Sequence, residues 1–133
     1  MKAILGALVE KKWVTPAILA LGIVLRLRHF LENRSLWQDE LCLALSIVHR
    51  PFHEIWQHKL LFPDFAQAPL FFQLISKTFV QVLGNTDGAL RLLPFLAAVG
   101  ALCLAPRFFR RYLDEKAALL ALLFFALSEP LVY

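Results

Sequence analysis

Residues 13–31, 89–106 and 117–133 are apolar runs, each near the roughly 20 residues that an α-helix needs to cross a bilayer. A chain with three such runs has few folds open to it. Inside lipid every backbone N–H and C=O must be satisfied internally, so the runs are expected to be helices. Composition agrees: 59% of residues are hydrophobic, only 18% are charged, and the mean hydropathy is +0.64, which excludes an ordinary water-soluble domain. The fold class expected is an all-α membrane protein.

The 133 residues suffice for one modest domain, and the formal charge is +4. The distribution of that charge says more than its sum. Lys and Arg cluster in Lys2/Lys11/Lys12 and in the ten residues from Arg107 to Lys116, which is a topology signal before it is a nucleic-acid signal. Residues 70–83 are apolar but too few to span. Their polar members Gln73, Lys77 and Gln81 recur every four positions, which predicts a helix lying in the interface with one polar stripe. With that helix on the surface, both basic clusters fall on one side, cytoplasmic by the positive-inside tendency. The resulting order is a cytoplasmic segment 1–12, a span 13–31, an outer loop 32–88, a span 89–106, a cytoplasmic loop 107–116 and a span 117–133. In the outer loop acids slightly outnumber Lys and Arg. The apolar Ala3 to Val9 is broken by Glu10, Lys11 and Lys12 with no A-x-A site after it, so no cleaved signal peptide is expected.

Thr15-Pro16 has the chemistry of a helix start, with Thr as N-cap and Pro first in the helix, and Trp13 is placed as an interfacial anchor. Arg28 is expected to snorkel outward, whereas Arg26 lies deeper and can equally face a polar cavity. A second helix is expected over 35–50, with Ser35 and Gln38 at capping-box spacing. Asp39 and Glu40 then fall in its first turn, where the helix dipole favours negative charge. Two readings stand for this pair: ordinary helix-start residues, or carboxylates facing a wet cavity at the membrane surface. Residues 41–48 suit a surface helix. His29, His49, His53 and His58 invite a metal site, but Pro51 breaks the one-helix spacing of His49 and His53, so hydrated interfacial rings are expected instead. Cys42 and Cys103 read as small buried hydrophobes rather than a disulfide.

The ordered set L-W-x-D-E-x-x-x-A-L, A-P-L-F-F, G-x-x-x-x-A-L-R-L-L-P, R-F-F-R-R and A-L-L-A-L-L-F-F-A-L-S-x-x-L-V-Y resembles the N-terminal part of GT-C fold glycosyltransferases. The subgroup is the one related to protein O-mannosyltransferases and lipid-A aminoarabinose transferases, and the similarity covers 25–133. The resemblance implies about three transmembrane helices with two juxtamembrane amphipathic helices in the first extracytoplasmic loop of a multi-pass inner or plasma membrane protein. It implies inverting transfer of a sugar from a polyprenyl-phosphate-linked donor to a lipid, glycan or protein acceptor, with membrane lipids as surroundings and no nucleic-acid partner. The D-E motif falls on Asp39 and Glu40. Asp39 is then the general base; in some relatives this carboxylate helps hold a divalent metal, the one cofactor the resemblance leaves open. The leaving phosphate needs cationic or amide donors, for which Arg26, Arg91 and Gln67 are the candidates. Some relatives carry a Lys before the Pro that matches Pro69, where this chain reads Gln67-Ala68-Pro69, and Glu129 stands where relatives more often show Pro. Relatives are several times longer, so the chain is expected to be an N-terminal module, truncated and inactive alone. The alternative is a catalytically inactive membrane subunit or remnant. A transport fragment using Arg26, Arg91 and Glu129 is disfavoured, because the polar residues gather at one end.

Overall fold

A computed structural model describes residues 13–32, 36, 38–57, 60–62, 64 and 68–128. The described residues form helices and no strands: α1 (Val14–Glu32), α2 (Gln38–His49), α3 (Phe52–Trp56), α4 (Leu70–Leu83), α5 (Asp87–Tyr112) and α6 (Glu115–Leu127). Two of them, α1 and α5, are long and apolar enough to cross a membrane. α6 has 13 residues and ends at Leu127, short of a crossing length. Segment 1–12, Ser35 with its expected cap, Trp37, His58, Gln67 and Glu129 lie outside the described residues.

The chain divides into two compact units. The first joins Met1–Glu32 to Phe95–Tyr133. Its described core is Leu102, Ala105, Leu122 and Ala126, with Ile18, Leu19, Ile23, Phe109 and Phe125 against it. Small residues set the spacing: a Cβ added at Gly22 would lie 2.7 Å from Leu102 Cδ2 and 3.1 Å from Ala126 Cβ. Such close backbone approach is how apolar helices gain contact without any polar drive. Much of the outer surface of this unit stays apolar, with Val24, Leu104 and Phe124 exposed.

The helix starts and stops have local causes. Expected to cap α1, Thr15 does not: the helix opens two residues earlier than expected, at Val14, Ala17 N donates to Trp13 O, and the Thr15 hydroxyl accepts from Arg110 instead. Arg28 is exposed and pairs with Glu32 at 2.9 Å. α5 runs through Pro94 and Pro106 to Tyr112, absorbing most of the expected 107–116 loop. Each proline removes only one intrahelical bond, which the flanking turns tolerate. The turn is confined to Leu113 and Asp114, where Asp114 caps α6 by accepting from Ala117 N.

The second unit, Asn33–Pro94, holds α2, α3 and α4. α4 has the bounds read from sequence, with Pro69 before it and Gly84 after it. Gly84 has φ 90° and ψ 169°, a region open essentially to glycine alone. Thr86 then caps α5 by accepting from Ala89 N. Ile47, Val80 and Ala89 form the apolar core, with Leu43, Val48 and Leu90 against it. The short α3, not anticipated from sequence, begins after Pro51, buries Ile55 and packs on α4. Cys42 and Cys103 are both free thiols; Cys103 is exposed rather than buried.

Candidate functional site

Asp39 and Glu40 stand in the first turn of α2 and both are exposed. Their position follows from the local sequence: the apolar residues that pull α2 inward, Ala44 and Ile47, begin only a turn later. Carboxylates at a helix N-terminus meet unpaired backbone N–H groups and the positive end of the dipole. Two acids in such a turn can accept a proton or hydrogen bonds from a molecule approaching from outside the unit.

Arg91 belongs to the same unit, half-buried in the second turn of α5. Arg26 belongs to the other unit and is spoken for. It is 1% exposed, and its Nη1 donates to Ala126 O at 3.2 Å and to Gly22 O at 3.0 Å. Its Nη2 donates to Phe125 O at 3.2 Å, and the guanidinium lies 5.9 Å from the centre of the Phe125 ring. The carbonyls of Phe125 and Ala126 are in the last turn of α6, where no intrahelical donor reaches them. Arg26 therefore occupies neither a snorkelling position nor an open polar cavity; it ties α1 to the end of α6.

The polar face of α4 is a second departure. The expected stripe of Gln73, Lys77 and Gln81 is not a single surface. Gln73 and Lys77 are buried and Gln81 is exposed. The reason is helical drift: a spacing of four advances each residue by about 40° beyond a full turn. Gln73, Ser76, Lys77 and Val80 point inward, while Phe71, Ile75 and Val82 point outward. This is the reverse of a water-facing helix. Inside, the Lys77 ammonium donates to Val48 O in the last turn of α2 at 2.9 Å, and Gln73 Nε2 donates to Ala68 O at 2.7 Å. On α2 the buried Ser46 hydroxyl donates to Cys42 O and accepts from Leu61 N, pinning the 60–62 stretch to the helix. Sequence spacing signals Gln73 and Lys77 but not their direction, and nothing local marks Ser46.

Among the described residues no group of three or more His, Cys, Asp or Glu side chains could hold a metal ion. Among the described residues the pair Asp39 and Glu40 thus offers two carboxylates and no third ligand of these types. His49 and His53 are exposed, and Arg50 pairs with Glu54 along the α2–α3 junction. No protein-family model, no curated protein and no solved structure matches the chain.

Proposed function

We propose that this chain is the N-terminal module of a GT-C-like membrane glycosyltransferase, with Asp39 as the base that accepts the acceptor's proton. The observation that carries the reading is the exposed Asp39–Glu40 turn, in a unit whose chain enters after α1 and leaves through α5, the two helices of crossing length. The inverted α4 supports it: a helix with Gln73 and Lys77 inside and Phe71, Ile75 and Val82 outside suits the apolar side of a membrane interface. In this reading α1, α5 and α6 with the residues after it are three spans, residues 32–88 are extracytoplasmic, and 107–116 faces the cytoplasm.

In the proposed reaction an acceptor oxygen attacks the anomeric carbon of a polyprenyl-phosphate-linked sugar. The new C–O bond forms as the bond to the phosphate breaks on the opposite face, and the acceptor proton passes to the Asp39 carboxylate. Glu40 adjoins it, and Arg91 stabilises the leaving phosphate, with Gln67 as the neutral donor. Arg26 is assigned to holding α6, because its terminal nitrogens already serve carbonyls.

The test measures polyprenyl phosphate released from polyprenyl-phosphate mannose and polyprenyl-phosphate aminoarabinose donors by the intact enzyme that contains this segment. Asp39→Asn is expected to lower the rate by about 10²-fold or more while leaving membrane insertion unchanged. Substantial retained activity removes the base role. Normal insertion with no release by either form supports the non-catalytic subunit instead. Topology is tested separately in a background lacking Cys42 and Cys103. A Cys at the exposed Gln81 should react with an impermeant outside reagent, and one at the exposed Tyr112 should not.

A further inference from the structure

At one end of the first unit three helix termini meet. Arg110 Nη2 donates to Thr15 Oγ1 at 2.9 Å, which brings the end of α5 beside the start of α1, and only Leu113 and Asp114 separate α5 from α6. We propose that this end is a docking surface for the headgroups of anionic phospholipids.

Among the described residues the charge there is mostly positive. Arg107, Arg110, Arg111 and Lys116 are all exposed, against Asp114, which is occupied as the α6 cap, and Glu115. Among the described residues none of the four cations forms an ion pair. Arg107 and Arg111 are one helical turn apart, so they present two guanidinium forks on one face, a spacing that suits phosphate oxygens.

The aromatic residues fix the level. Trp13, two residues before Thr15, is 82% exposed, and Phe108 and Tyr112 are also exposed with ring centres 5.0 Å apart. The Arg111 guanidinium lies 6.0 Å from the Tyr112 ring centre. One turn before Phe108 the exposed residue is Leu104, so apolar surface passes through an aromatic band into a basic one within about two turns. A polynucleotide laid on the arginines would abut Leu104 and Phe108. A lipid matches both halves, with its chains on the leucine and its phosphate on the arginines.

The inference rests on the membrane reading, and the experiment separates the two. The full chain is reconstituted in phosphatidylcholine bilayers with trace spin-labelled phosphatidylglycerol or phosphatidylcholine, and the protein-immobilised fraction is read by electron spin resonance. Phosphatidylglycerol is expected to be preferred by at least about twofold at low salt, with the preference fading as salt is raised. R107Q/R111Q/K116Q, which leaves the Arg110–Thr15 bond in place, should abolish the preference, whereas R107K/R111K should keep it. Equal immobilisation of the two lipids by the unaltered protein, or a preference that survives high salt or the triple change, overturns the proposal. Release of the protein from the bilayer by alkaline carbonate overturns the membrane reading itself. Retention with equal immobilisation leaves that reading standing and removes only the lipid site.

Discussion

Among the described residues each unit buries one cation, and the two are used alike. Arg26 in the first unit and Lys77 in the second are both buried, and among the described residues neither meets a carboxylate. Each instead donates to the last turn of another helix, Arg26 to Phe125 O and Ala126 O, Lys77 to Val48 O. The terminal carbonyls of a helix lack intrahelical donors and lie at the negative end of its dipole, so a cation there satisfies two needs at once. The difference lies in reach. The planar guanidinium spans two carbonyls of α6 and one of its own helix, while the ammonium serves one. Arg26 is also closely confined on its own helix, since its Nη1 would lie 3.3 Å from a Cβ at Gly22. The second unit adds Ser46 and Gln73 to hold its chain.

Substitutions can break or sharpen this contrast, each read as the unfolding free energy in detergent by circular dichroism. The largest effect is expected for Arg26→Met, which strands two α6 carbonyls; about 4 kcal/mol is expected from two charge-assisted bonds. Gly22→Ala should follow at up to about 3 kcal/mol, because Leu102 is itself fully buried and cannot swing clear of the new methyl group. Lys77→Met, which keeps chain length and loses one bond, should cost about 2 kcal/mol. A loss equal to that of Arg26→Met would end the distinction in reach. Gly84→Ala should be smallest, about 1 kcal/mol. No atom lies within 4 Å of the added Cβ, so backbone conformation alone is at issue.

Some of this was legible beforehand for identifiable reasons. The bounds of α4 follow from Pro69 and Gly84, local signals that need no partner. The first-turn position of Asp39 needs only the apolar run that follows it. The direction of the α4 polar face was not legible, because periodicity gives the spacing of Gln73 and Lys77 but not which side the neighbouring helices occupy. That α5 continues through Pro106 was not legible either: proline marks one lost hydrogen bond, and whether a helix survives that loss depends on its neighbours. The role of Arg26 was hidden furthest, since its partner carbonyls stand 99 and 100 residues away.

By itself the amino-acid order determined that the described residues are helical, where α4 begins and ends, and that two acids stand in the first turn of α2. Those outcomes depend on contacts within a few residues and on apolar length. Which polar groups turn inward, and which helix each buried cation closes, was decided by tertiary structure alone. A buried charge is stable only where another element brings unsatisfied carbonyls to it, and no local pattern records that meeting.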